Sequence, residues 1–154
     1  MTTLSDVQDF LALHRLVVVG VSRNPRDFTR VLFRDLLARG YDAVPVNPGA
    51  AEIEGCRCYA SLLDVAPPAE GALLLTTPLI TEQAVRDCAL AGIRRVWMYR
   101  AAGHGAVSAE ASAFCSRNGI RLVEGECPFM FLPQSAWIHR AHGFCRKVFG
   151  HYPA

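Results

Sequence analysis

The sequence predicts an α/β fold built on a parallel sheet of about five strands. Short apolar runs rich in β-branched residues, such as Leu16–Val19, show no polar alternation and are typical of strands covered on both faces. A stretch with apolar residues at helical spacing follows, and glycines such as Gly20 and Gly40 separate the segments. Strands that alternate with helices pair in parallel through right-handed crossovers. We therefore expect a Rossmann-like, doubly wound sheet with flanking helices and an extra C-terminal helix.

The first half of the chain follows this order. Val7, Phe10 and Leu11 share one face of a short N-terminal helix, for which Ser5 is the expected cap. After the first strand, a stripe of apolar residues predicts a helix that Gly40 ends, because glycine adopts the left-handed C-terminal conformation at little cost. The expected elements are a helix within residues 1–14, the strand Leu16–Val19, a helix from near Asp27 to Leu37, the strand Tyr41–Val46 and a helical connection in Tyr59–Val65.

The same alternation recurs in the second half. Ser108 is the expected cap of the helix that Gly119 ends, and Thr81 would cap the helix that Gly92 ends if the threonines before it are plain turn residues. The expected strands are Gly71–Leu75, Ile93–Tyr99 and Ile120–Val123, followed by an extension over residues 127–154 with a helix from Gln134 to Phe149. This extension is expected to pack on the domain or on a partner subunit, which leaves a homodimer open.

Length and composition bound the class of protein. The chain has 154 residues, of which 51% are hydrophobic and 19% charged, so residues 1–154 are expected to form a single domain. The net charge of +2 and the dispersed arginines do not indicate nucleic-acid binding. No apolar run approaches the ~20 residues of a membrane span, and the N-terminus lacks the order of a signal peptide. The sequence thus predicts a cytoplasmic protein without a membrane or nucleic-acid partner.

The cysteines and histidines do not predict a metal site. The six cysteines follow no metal-finger spacing, so free thiols are expected in a cytoplasmic chain. In the C-terminal helix, His139 and His142 lie three residues apart and could share a metal with Cys127 or His151. A surface or hydrogen-bonded histidine pair is the more frequent outcome of such spacing, and no metal ligand is assigned.

The turn after the first strand has the features of an anion site. Gly20–Ser22 leads from a strand into a helix, whose first N–H groups and dipole attract a negative group. Arg23, Arg26 and Arg30 crowd the same turn, where a phosphate would balance their charge. The alternative is a plain connecting turn with solvated arginines, since a strand-to-helix turn often needs glycine merely to turn.

Two further loops join this turn at the carboxyl edge of the sheet. Asn47, followed by Pro48, stands where a dinucleotide site carries a carboxylate for the ribose, which argues against NAD. Thr76–Pro78 follows the third strand at the edge where open α/β sheets bind their ligands, although turn chemistry would also explain it. The candidate cofactor-binding residues are Gly20, Val21, Ser22, Arg23, Arg26, Asn47, Pro48, Thr76, Thr77 and Pro78.

The sequence resembles a known family over nearly its whole length. The motifs are Val19-Gly-Val-Ser22 with Asn24-Pro25, Gly40-Tyr41 leading to Pro45-Val-Asn-Pro48, Glu52-Ile-Glu-Gly55 with Tyr59 and Ser61-Leu62, and Val96-Trp97. They are similar to those of stand-alone CoA-binding proteins related to the CoA-binding domain of the succinyl-CoA synthetase alpha subunit. The resemblance implies a Rossmann-like domain that holds coenzyme A across the carboxyl ends of its strands. The first turn would contact the phosphates, which Arg23 or Arg26 could neutralise.

These observations predict a protein that binds coenzyme A or an acyl-CoA as a non-catalytic binding or regulatory module. No catalytic residue is assigned, because no nucleophile with a base and an orienting partner can be assembled. Two alternatives stay open. One is a CoA-dependent acyl-transfer or hydrolase-type enzyme that uses His104, which lies in a glycine-flanked loop at the ligand edge. The other is a nicotinamide-nucleotide binder.

Overall fold

The computed structural model describes residues 2–100, 103 and 105–133. In chain order the elements are α1 (Leu4–Leu11), β1 (Arg15–Val19), α2 (Phe28–Ala38), β2 (Asp42–Val46), β3 (Glu52–Ile53), β4 (Cys56–Arg57), β5 (Gly71–Leu74), α3 (Pro78–Leu90), β6 (Arg95–Tyr99), α4 (Ala109–Arg117) and β7 (Arg121–Glu126). Short 3₁₀ turns lie at Leu62–Asp64 and Pro128–Met130.

The longer strands form one parallel sheet of five strands in the order β2-β1-β5-β6-β7. The short strands β3 and β4 pair separately as an antiparallel hairpin. From β1 the chain moves outward to β2 and then crosses to β5 on the other side of β1, so the strand order reverses between β1 and β5. The predicted α/β, Rossmann-like fold with a five-stranded parallel sheet is confirmed.

Each face of the sheet has its own apolar core, because successive strand side chains point to opposite faces. On one face, Val18 and Trp97 are buried together with residues of α1, α2 and the Pro128–Met130 turn. On the other face, Val17 is buried together with residues of α3, α4 and the Leu62–Asp64 turn. Strands covered on both faces carry nearly continuous apolar runs, which is why the sequence reveals them.

Two predicted helix caps are wrong. Thr3, not Ser5, caps α1: its hydroxyl accepts from the Asp6 N–H at 3.1 Å, and the Asp6 carboxylate accepts from the Thr3 N–H at 3.0 Å. This reciprocal capping box starts the helix before Ser5. Thr81 lies inside α3 rather than at its start, because Pro78 takes the first helical position, where its missing N–H costs nothing.

Some predicted features differ or fall outside the described residues. The stretch after β2, for which the sequence predicts no strand, contains the β3–β4 hairpin, and β7 continues to Glu126 beyond the expected Val123. The predicted C-terminal helix with His139 and His142 lies outside the described residues, as does His104. In the described part of the chain, no helix is long and apolar enough to cross a membrane.

The ends of three strands meet at Gly20. Its N–H donates to the Val46 carbonyl at 3.0 Å, while the Leu75 N–H donates to the Val19 carbonyl at 2.8 Å. Gly20 has a φ of +91°, and a Cβ added there would lie 2.6 Å from the Leu75 carbonyl oxygen. Glycine is therefore required at this position for two reasons, its backbone conformation and the close approach of β5.

We expect the substitution Gly20→Ala to lower the free energy of unfolding by at least about 2 kcal/mol, since it adds a clash with backbone to the left-handed strain. Gly40→Ala is the matched control, because Gly40 has a φ of +87° and nothing within 4 Å of an added Cβ. It should cost only about 1 kcal/mol. Denaturant unfolding of both variants measures the difference, and equal losses would contradict the role of the close approach.

Candidate functional site

A cleft of about 370 Å³ opens at the carboxyl ends of β1, β2 and β5. Open α/β sheets bind ligands at this edge, beside the point where the strand order reverses. The strand ends and their loops form one wall, and one side of α3 forms the other. The lining residues are Val19, Gly20, Val46, Asn47, Pro48, Ala60, Ser61, Leu62, Thr76, Ile80, Gln83, Ala84 and Asp87.

The structure brings part of the predicted site together in this cleft. Gly20, Asn47, Pro48 and Thr76 line it. The other predicted residues lie outside the lining, in the β1–α2 loop and at the start of α3. They are Val21, Ser22, Arg23, Arg26, Thr77 and Pro78. The predicted residues thus divide between the cleft and the chain segments that directly follow β1 and β5, which we call the rim.

Asn47 links two loops of the site. Its Nδ2 donates to the Val21 carbonyl at 2.9 Å, and its Oδ1 accepts from the Gly49 N–H at 2.8 Å. The exposed Arg23 lies over the same turn, since a Cβ added at Gly49 would be 3.4 Å from Arg23 Nε. Asn47 stands where a dinucleotide site has a carboxylate. Its amide instead holds the loop after β2 against the loop after β1.

A carboxylate of the chain already caps the N-terminus of α2. Asp27 Oδ1 accepts from the Thr29 N–H at 2.8 Å and from the Thr29 hydroxyl at 2.6 Å. The Thr29 hydroxyl in turn accepts from the Ser22 N–H at 2.8 Å. Within the described part of the chain, no acceptor bonds the backbone N–H groups of Val21 and Arg23. Val21 is fully buried, so the N–H of the exposed Arg23, rather than that of Ser22, is the loop donor left for an anion.

Arg30 is part of the fold rather than a free cation. Its Nη2 and Nε donate to Glu54 Oε1 at 2.5 and 2.9 Å. Its Nη1 donates to the carbonyls of Ser22 and Arg23 at 3.3 and 3.1 Å. The guanidinium therefore joins the β3–β4 hairpin to the β1–α2 loop. The Arg30 side chain is only 12% exposed, in contrast to the exposed Arg23 and Arg26.

Sequence reasoning missed the contribution of α3 to the site. Ile80, Ala84 and Asp87 lie at helical spacing and present one stripe of α3 to the cleft, with Gln83 beside them. Apolar residues at helical spacing predict only that one face of α3 packs on the sheet. The polar members could not be assigned to a ligand, because the sequence does not reveal which end of the face opens into a cleft.

Thr81 supports the cleft from behind. Its side chain is fully buried, and its hydroxyl lies 2.7 Å from the hydroxyl of Thr76, a residue that lines the cleft. Ser61 also lines the cleft, and its hydroxyl accepts from the Leu63 N–H at 3.2 Å and caps the short turn that follows. Both hydroxyls are held in place by the chain, and each has further hydrogen-bonding capacity.

The described cysteine thiols and the Tyr99 phenol are poor nucleophiles. Burial raises the pKa of Cys88 and of Tyr99 to about 12 each, and that of Cys115 to about 11. The Tyr99 ring stacks on Phe28 at 5.2 Å between centroids. No group of three His, Cys, Asp or Glu side chains among the described residues could hold a metal ion. The described part of the site therefore offers binding groups rather than an activated nucleophile.

Replacing Arg30 tests the link between hairpin and loop. Arg30→Lys keeps the charge but loses the planar fork that reaches Glu54 and two carbonyls at once. We expect the free energy of unfolding to fall by about 1–3 kcal/mol. Arg117→Lys is the control, since Arg117 is 61% exposed and lies 3.6 Å from Glu110 in a surface pair. Chemical denaturation should show almost no change for the control, and equal effects would contradict a structural role for Arg30.

Thiol labelling tests the burial of the cysteines. At pH near 8, Cys56 on the half-buried hairpin should react with iodoacetamide at least about tenfold faster than Cys88 and Cys115. The reason is that burial keeps the latter two protonated and out of reach. Peptide mapping after timed labelling measures each rate, and labelling in denaturant supplies the reference. Similar native rates at all three positions would contradict the burial.

Comparison with known proteins yields consistent similarities. A family model described as a CoA binding domain matches residues 14–133. An acetate–CoA ligase (ADP-forming) II of Archaeoglobus fulgidus is 28% identical over 94 residues, which are 60% of this chain and 14% of the relative. This chain therefore spans about one seventh of that curated relative.

Solved structures of other proteins are also similar to this chain. A hypothetical protein from Pyrococcus horikoshii OT3 superimposes with a TM-score of 0.74 at 29% identity, covering 80% of this chain and 85% of that one. The apo dinucleotide-forming acetyl-coenzyme A synthetase 1 of Ca. Korarchaeum cryptofilum gives a TM-score of 0.59 at 25% identity, covering 72% of this chain and 26% of that one.

Proposed function

This chain belongs to the CoA-binding domain family, and from that premise we propose that it binds coenzyme A or an acyl-CoA at the carboxyl edge of its sheet. The observation that carries the proposal is the cleft at Gly20, Asn47 and Thr76, where the strand order reverses. The relatives that share this domain include proteins named as CoA ligases and synthetases. The ligand class therefore agrees with the position and volume of the cleft.

The rim beside the cleft supports binding of the CoA phosphates. Arg23 and Arg26 are exposed, and their guanidinium groups make no ion pair with a described carboxylate. The backbone N–H of Arg23 bonds no acceptor in the described part of the chain. Two cations and one backbone donor on the same loop can together bind a pyrophosphate or a ribose 3'-phosphate.

The end of β2 distinguishes CoA from a nicotinamide dinucleotide. A dinucleotide site uses a carboxylate there to hold both ribose hydroxyls, whereas Asn47 uses its amide to join two loops. We propose binding without catalysis, in a single domain over residues 1–154. The described cysteine thiols have raised pKa values, so they do not favour an acyl-transfer role.

Calorimetric titration with CoA, dephospho-CoA and NAD at fixed salt tests the proposal. We expect CoA to bind more tightly than dephospho-CoA by about tenfold or more, because a charge-assisted hydrogen bond is worth about 1.5–3 kcal/mol. The double substitution Arg23→Ala, Arg26→Ala should remove most of this difference. Arg94→Ala is the control, since the exposed Arg94 precedes β6 at the opposite edge of the sheet.

The outcomes separate the alternatives. Tighter binding of NAD than of CoA would overturn the proposal in favour of a nicotinamide nucleotide. Binding of none of these ligands would leave Gly20 as a structural turn only. An unchanged preference for CoA over dephospho-CoA in the double variant would show that other groups hold the 3'-phosphate.

A further inference from the structure

The cleft itself is suited to an uncharged part of a ligand. Among the described residues that line it, Asp87 is the one charged residue, and neither Lys nor Arg is present. Val46, Leu62, Ile80 and Ala84 supply apolar walls. The arginines at the rim lie outside the lining. A phosphate is therefore not expected inside the cleft, whereas a flat heterocycle can bury its faces there.

Gln83 and Asp87 form the polar part of the α3 wall. Asp87 lies seven residues beyond Ile80, which corresponds to about 10 Å along the helix axis and away from the sheet edge. The polar pair is thus set back from the loop that would hold the phosphates. A base placed in the cleft would direct its polar edge toward this pair, while the sugar and phosphates attached to it would lie toward the β1–α2 loop.

The hydrogen bond between Gln83 and Asp87 determines which donor and acceptor atoms of the pair remain for a ligand. Gln83 Nε2 donates to Asp87 Oδ1 at 2.9 Å. No donor among the described residues bonds Asp87 Oδ2, and Gln83 Nε2 carries a second hydrogen. The pair therefore presents an acceptor next to a donor. The Watson–Crick edge of an unpaired adenine has the complementary arrangement, because its exocyclic N6 amine donates and its neighbouring ring N1 accepts.

We infer that Gln83 and Asp87 are specificity-determining residues that read the N6–N1 edge of the adenine base of CoA. Asp87 Oδ2 accepts from the amine, and Gln83 Nε2 donates to the ring nitrogen while it holds the carboxylate in place. This inference rests on the proposed CoA binding. It assigns to α3 a role that is separate from the phosphate contacts of the β1–α2 loop.

Titration with CoA and with 1,N6-etheno-CoA tests the inference. The etheno bridge removes the N6–H donor and the N1 acceptor, while the phosphates and the pantetheine arm are unchanged. We expect the native protein to bind CoA about tenfold to a hundredfold more tightly than etheno-CoA, the range for a hydrogen bond to a charged group. Asp87→Asn should lower the affinity for CoA by a similar factor and leave that for etheno-CoA unchanged.

The controls distinguish a lost hydrogen bond from the size of the etheno ring and from a loss of stability in the variants. Glu110→Gln makes the same chemical change on the exposed surface of α4 and should alter neither affinity. Gln83→Ala, at an exposed position, should reduce the preference for CoA in the same direction as Asp87→Asn. Thermal unfolding of each variant should match the native protein.

Several results would overturn the inference. Equal affinity of the native protein for CoA and etheno-CoA would show that the N6–N1 edge is not read. A preference that persists unchanged in Asp87→Asn would attribute it to the size of the etheno ring. If Asp87→Asn lost affinity equally for both ligands, the carboxylate would contact the ribose or stabilise the fold rather than bind the base. Failure of the native protein to bind either ligand would instead overturn the proposed CoA binding.

Discussion

The close approach of β1 and β5 at Gly20 determines the shape of the carboxyl edge of the sheet. Gly20 bonds to the end of β2, and Leu75 bonds back to Val19, so three strand ends converge on one point. A Cβ at Gly20 would lie 2.6 Å from the Leu75 carbonyl oxygen and would force the strand ends apart. The loops that follow these strands start from this point, and the cleft lies between them.

Side chains from distant segments then hold those loops in place. Asn47 joins the loop after β2 to the Val21 carbonyl, and Arg30 joins the β3–β4 hairpin, through Glu54, to the β1–α2 loop. Both are polar groups with several partners inside the chain. As a result, the loop that carries Arg23 is anchored from both sides although its guanidinium is exposed. Such anchoring limits the entropy lost when a ligand binds.

The edge is divided electrostatically into a cationic rim and an apolar cleft with one carboxylate. Arg23 and Arg26 lie at the rim, whereas Asp87 is set back on α3. Coenzyme A is divided in the same way, into phosphates and an uncharged base. The match between the two arrangements supports the proposed ligand. It also gives the arginines and the acidic residue separate roles, the first toward the phosphates and the second toward the base.

The sequence by itself determined the alternation of the five sheet strands with helices, because strands buried on both faces leave continuous apolar runs and helices with one apolar stripe leave a periodic pattern. It also located the glycine turn and two of the loops at the carboxyl edge of the sheet, since parallel strands all end there. The partners of polar side chains were decided only by the tertiary structure. Arg30 resembles its neighbouring arginines until Glu54, 24 residues away, is folded against it. Likewise, only the packing of α3 beside the cleft places Asp87 in the lining and Thr81 against Thr76. The helical pattern in the sequence identifies a buried face but not the segments that pack against it.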